Sequence, residues 1–163
     1  MPEKRLVLDT TICIDLFNGG LLEKALELPY ELVLPDVIVE ELILPPGEDL
    51  VKIGYSLSPL AKEGIEEVFA LRERYRKPST NDLFALVLAR LNSCPLVTGD
   101  ESLRRAAQDE GMQVHGLLWL MDRLVDYHIL SFLEAAVSLE IILEKGSWLP
   151  KKECESRLKR WKN

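Results

Sequence analysis

The architecture is decided between residues 5 and 11, where Arg5-Leu6-Val7-Leu8 runs into Asp9-Thr10-Thr11. An aliphatic run with no polar alternation predicts a strand buried on both faces. The Asp-Thr-Thr that follows predicts a helix N-cap. Ile12, Cys13, Leu16 and Phe17 give that helix an apolar side before Gly19-Gly20 stops it. The unit recurs. Glu31-Leu32-Val33-Leu34 is a second strand, and Pro35-Asp36 opens a helix through Val37, Ile38 and Glu41 that Pro45-Pro46-Gly47 closes. Pro95-Leu96-Val97-Thr98 is a further strand, leading through Gly99-Asp100 into a helix over 101–110 and a short strand over 113–115. Short apolar strands alternating with helices predict an α/β fold, a central parallel sheet with helices on both faces.

The intervening segments fit this frame. Leu21 to Leu28 reads as a short helix, and Val51 to Tyr55 as either a strand or an ordered loop. Ser58-Pro59 reads as the start of a helix running to about Arg76, with Arg72, Arg74, Arg76 and Lys77 suited to the negative end of its dipole. Ser79 or Thr80 caps a helix carrying Leu83, Phe84, Leu86, Val87 and Leu88, apolar around most of its circumference and therefore central. After Gly116 the pattern changes to helices over 117–130, 131–145 and 150–161. The expected organisation is a body over 1–116 and a helical extension over 117–163 packed on it.

Composition narrows the function. The 163 residues are 47% hydrophobic and 29% charged, typical of a globular chain. No apolar run is long enough to span a bilayer. The start of the chain is too short and too soon interrupted by Asp9 to read as a secretory signal, so the expected location is cytoplasmic, with no membrane partner. Cys13, Cys94 and Cys154 are far apart, and His115 and His128 are the only histidines, which disfavours disulfides and thiolate or zinc sites. The net charge of −7 speaks against nucleic acid if taken as a whole. It is uneven, however: residues 145–163 carry +5 and the remainder −12.

Four acids stand apart by context. Asp9 and Asp100 each follow an apolar strand at its carboxyl end, where open parallel sheets bind ligands. Asp82 lies in the first turn of its helix, and Glu41, beside Glu40, on the helix after the second strand. Each has a plain structural reading, as a helix cap, a first-turn charge or a solvated face. Gathered at one sheet edge, they would raise one another's pKa unless a cation neutralised them. An all-oxygen donor set selects Mg²⁺ or Mn²⁺ over zinc. Other phosphate and acyl chemistries lack their residues: there is no G-x-x-x-x-G-K-[ST], no G-x-G-x-x-G after a strand, no second Asp at position 11, and no G-x-S-x-G.

Leu-Val-Leu-Asp-Thr-Thr-Ile-Cys-Ile at 6–14, Glu-Glu-Leu at 40–42, Asn-Asp-Leu-Phe-Ala-Leu-Val-Leu-Ala at 81–89 and Leu-Val-Thr-Gly-Asp-Glu-Ser-Leu-Arg at 96–104 together resemble the four acidic motifs of PIN domains. The tail from His115 resembles the helical extension of VapC-like members. The resemblance implies a three-layer α/β/α PIN-like fold. It also implies a Mg²⁺- or Mn²⁺-dependent endoribonuclease that hydrolyses RNA by a metal-activated water, often the toxin of a toxin–antitoxin pair. By motif it implies Asp9, Glu41, Asp82 and Asp100 as catalytic, metal-binding acids, with Glu41 preferred over Glu40. Thr10 and Thr98 would orient a carboxylate or a metal water, and Asn81 would support Asp82 or a phosphate. Implied partners are an RNA substrate, a small antitoxin and a second copy in a homodimer. The basic stretch 72–77, Arg104, Arg105 and the tail read first as helix-end and surface charges and second as an RNA-backbone surface. The alternatives are a PIN fold that binds RNA or protein without turnover, and a structure-specific DNA nuclease.

Overall fold

A computed structural model describes residues 4–163. Strand β1 (Lys4–Leu8) is the spine of the sheet, with Leu6, Val7 and Leu8 buried. It pairs in parallel on one side with β2 (Tyr30–Pro35), Val7 opposite Val33, and on the other with β4 (Leu96–Val97), Val7 opposite Leu96. Strand β3 (Ser56–Ser58) extends the sheet beyond β2, and β5 (Val114–His115) extends it beyond β4. The order is β3-β2-β1-β4-β5, all parallel. Parallel neighbours need crossover connections, and helices supply them. The helices are α1 (Thr10–Asn18), α2 (Leu22–Ala25), α3 (Asp36–Glu41), α4 (Gly47–Ile53), α5 (Lys62–Arg74), α6 (Thr80–Leu91) and α7 (Glu101–Asp109). They flank the sheet, giving the expected three-layer α/β/α arrangement. The strand order reverses between β1 and β4, so the crevice at their carboxyl ends is a topological switch point, where α/β sheets bind ligands.

Helix α6 lies across β1, β2 and β4 and is packed from outside by α5. Leu83 and every residue from Ala85 to Ala89 are buried, as its nearly all-apolar surface predicts. Beyond β5, α8 (Leu117–Asp126), α9 (Phe132–Glu144) and α10 (Lys151–Lys162) fold back on the body. Ala135, Ala136, Leu139 and Ile142 of α9 are buried, and α9 packs on α1, α8 and α10. Ser138 Oγ donates to the Gly19 carbonyl at 3.0 Å, Ser147 Oγ donates to Asp15 at 3.0 Å, and Arg157 grips Asp122 with two bonds of 2.9 and 2.7 Å. No helix among the described residues is long and apolar enough to cross a membrane.

Three segments differ from the sequence reading. Residues 47–53 form helix α4, and the strand falls later, at 56–58. Gly54, at φ 134°, stops the helix in a conformation that a side chain disfavours. Because Ser58 pairs with Pro35 in the sheet, Ser58-Pro59 is extended and α5 begins only at Lys62. Helix α2 is limited to Leu22–Ala25, and Pro29 keeps Leu28 from extending it to the length the sequence suggests.

Candidate active site

Asp9 leaves β1 at the switch point and is completely buried. Its Oδ1 accepts from the Ile12 N–H at 3.1 Å, capping α1, and from the Thr11 hydroxyl at 2.6 Å. Its Oδ2 accepts from the Thr98 hydroxyl, across the gap to β4. Thr98 Oγ in turn accepts from the Asp100 N–H at 2.9 Å, and Thr11 Oγ accepts from the Gly99 N–H at 2.8 Å. The two strand ends are thereby stitched together around one carboxyl group. Burial, with a smaller contribution from the charge of Asp82, raises the Asp9 pKa to about 7 despite those three donors.

Asp100 repeats the device on the neighbouring strand. Its Oδ1 caps α7 through the Leu103 N–H at 2.9 Å and accepts from the Ser102 hydroxyl at 2.6 Å. Asp82 forms a capping box with Ser79 at the start of α6: each side chain accepts from the other residue's backbone N–H at 3.0 Å. Glu41 closes α3, and its Oε2 accepts from Thr10 at 3.0 Å and from Asn81 at 3.3 Å. The carboxyl of Asp82 is raised first by burial and then by the charges of Asp100 and Glu41. These couplings bring the four acids into one neighbourhood, built from the N-termini of α1, α6 and α7 and the C-terminus of α3.

Site electrostatics are uncompensated. None of the four acids forms an ion pair among the described residues. Three helix N-termini supply only partial positive charge. Glu41 Oε1, Asp82 Oδ1 and Asp100 Oδ2 have no protein donor among the described residues. Hard carboxylate oxygens with no protein cation beside them suit Mg²⁺ or Mn²⁺ in chemistry. They are not yet a cage: no three acidic, histidine or cysteine side chains among the described residues stand close enough to hold an ion. The capping bonds explain this, because each aspartate is tied to the start of its own helix.

Asn81, expected to support Asp82 or a phosphate, donates its amide to Glu41 at 3.3 Å. Thr11 and Ser102 were missed, although each stands two residues after a capping aspartate, the spacing at which a hydroxyl reaches back to the same oxygen. The basic stretch reads as structure: Arg74 pairs with Glu110, Arg76 with Glu73, and Arg72 donates to the Pro78 carbonyl. A cavity of about 860 Å³ lies around the amino-terminal ends of the strands between Arg5, Tyr30, Gln113 and Trp119, away from the acids.

A family model described as a PIN domain matches residues 5–163. No curated protein matches the chain.

Proposed function

The chain belongs to the PIN-domain family, and from that premise we propose that it is a divalent-metal-dependent endoribonuclease of the VapC-like toxin type. The carrying observation is the uncompensated four-acid neighbourhood at the switch point between β1 and β4. Glu41, Asp82 and Asp100, each with an oxygen free of protein donors, and Asp9 between the strand ends are the residues to hold Mg²⁺ or Mn²⁺. The ion supplies positive charge for the phosphate oxygens and lowers the pKa of a water.

The chain's own residues do the rest. Thr98 and Thr11 fix both Asp9 oxygens. Thr10 and Asn81 hold one Glu41 oxygen, which leaves the other to face the site. Cys13 lies close enough to feel the Asp9 charge, but burial pushes its thiol above the usual range, so it stays protonated and is no nucleophile. Water is then the attacking group.

The test is cleavage of single-stranded RNA with Mn²⁺, run beside duplex DNA. Asp100→Asn keeps an oxygen for the Leu103 cap, so the fold should survive while cleavage falls on the order of 10²–10³-fold. Intact RNA together with no heat of Mn²⁺ binding sinks the proposal, and faster cutting of duplex DNA reassigns the substrate. One observation favours a second reading: the three aspartates are all engaged in helix caps. A fold kept for binding alone needs no more than that, and calorimetric metal titration separates the two. The toxin role is tested by co-expression with the product of a small adjacent reading frame, which should relieve growth arrest.

A further inference from the structure

Nine of the ten arginines have a partner in the structure, most of them a carboxylate. Arg104 is the tenth, its guanidinium making no hydrogen bond or ion pair among the described residues. Its neighbour Arg105 is paired to Glu101 at 3.1 Å. In a chain with 27 acids and 20 bases, a half-buried guanidinium left without an acid is out of pattern. Arg104 stands one turn after Asp100 on α7, its N–H bonded to the Asp100 carbonyl at 2.9 Å. Space has been left for it: a Cβ on Gly116 would come within 2.8 Å of Arg104 Nη2. Gly116 has an ordinary negative φ, so room for the guanidinium is what a side chain there would remove.

Arg104 lines a cleft of about 370 Å³ that also touches Thr98 and Gly99, the residues bonded to Asp9 and Thr11. That volume is in the range of small-ligand sites, roughly 300–1,000 Å³. The far wall is the strap Trp148-Leu149-Pro150 between α9 and α10, and Trp148 is 86% exposed. Of the other charged residues in the cleft, Glu101 and Arg157 are neutralised by Arg105 and Asp122, which leaves Glu153. An unsatisfied planar cation and an uncovered indole, lining one cleft that reaches Thr98 and Gly99 at the edge of the acid site, match the two parts of a nucleotide. The guanidinium suits a phosphate, and the indole face suits a base that is not already stacked.

We propose that this cleft is the subsite for a nucleotide flanking the scissile phosphate of single-stranded RNA, with Arg104 on its phosphate and Trp148 on its base. The proposal rests on the endoribonuclease reading for the word flanking, but the binding can be read without cleavage. Trp148→Ala should raise KM for a short unstructured RNA about tenfold and leave kcat within about twofold. Arg104→Ala should do the same and reduce the slope of log affinity against log salt by about 0.7. Arg104→Lys should recover part of the loss, because it keeps the charge without the planar fork. Trp148 is solvent-exposed, so its variant will fold even if Arg104→Ala does not. If the wild type cuts RNA and neither substitution moves KM, the subsite is wrong and the nuclease reading stands. If the wild type cuts no RNA, the anisotropy of the same labelled RNA with Mg²⁺ decides the subsite. Weaker binding by Trp148→Ala and Arg104→Lys supports it, and unchanged or absent binding overturns it. Equal affinity for single-stranded DNA of the same sequence, lost equally in the variants, would overturn the assignment to RNA.

Discussion

Asp15 places a carboxyl group where water hardly reaches: it is 7% exposed, and its one side-chain donor is Ser147. Burial raises its pKa to about 6, against the opposing effect of that bond. The folded state therefore holds a proton that the unfolded chain has released. The stabilisation this gives is complete below about pH 4 and lost as pH rises through 6. Above that, the ionised carboxylate costs about 2–3 kcal/mol. Asp15→Asn keeps an oxygen for the Ser147 hydroxyl and removes the charge. Its melting temperature should exceed that of the wild type at pH 7.5 and converge with it near pH 4. A variant that melts lower at pH 7.5 shows that the carboxylate is better satisfied than its surroundings suggest. Thr98 is the second residue on which much depends, because one hydroxyl serves Asp9 and the Asp100 N–H together. Thr98→Val keeps the shape and removes both bonds. Denaturant unfolding should show a loss of about 1–3 kcal/mol, and RNA cleavage should fall with it. Retained stability would mean that Asp9 finds another donor.

At the scale of elements, α3 and α4 set the position of Glu41. Their contact is backbone to side: a Cβ on Gly47 would lie 1.9 Å from the Val39 carbonyl oxygen. Gly47→Ala must therefore push α4 away from α3. The expected result is a loss above about 2 kcal/mol and an RNA-cleavage defect that added Mn²⁺ only partly repairs. An unchanged unfolding midpoint would show that the two helices are not tightly joined. This corner is also where sequence reading was weakest. Buried strands are legible because every residue in them is aliphatic, as in 6–8, 32–34 and 96–97. Caps are legible because donor and acceptor are two or three residues apart: Asp9 and Asp100 cap where the sequence offers them, and of Ser79 and Thr80 it is Ser79 that caps. Residues 47–58 have no aliphatic run and no side-chain cap, and their local helix signals are limited to the acids Glu48 and Asp49, Lys52 and Gly54. Their helix is fixed by the Gly47–Val39 approach and their strand by pairing with β2, both contacts with distant chain. The four acids could be picked out for the same local reason, by their place after strands or in first turns. The partner of Asn81 and the isolation of Arg104 are long-range facts that no spacing encodes.

For the whole molecule, the net charge of −7 acquires a location. The +5 of residues 145–163 lies largely on α10, where Arg157 and Arg160 are drawn to Asp122 and Lys162 to Glu140. Part of the −12 elsewhere is concentrated in four acids with no paired base among the described residues, at the switch point of the sheet. Repulsion there favours the unfolded chain, and an ion that binds only the folded form offsets it. Such binding stabilises by about 2.7 kcal/mol at a hundred times Kd. Mn²⁺ should raise the melting temperature of the wild type by several degrees and strengthen its binding to RNA, and chelation should reverse both. Asp82→Asn should melt higher than the wild type without metal, since it relieves the crowding, and should respond less to Mn²⁺. That crossing of effects distinguishes a built metal site from general screening, which would shift both proteins alike and be reproduced by NaCl at the same ionic strength. If Mn²⁺ and NaCl act equally on both proteins, the acids serve as helix caps and the metal-dependent reading falls.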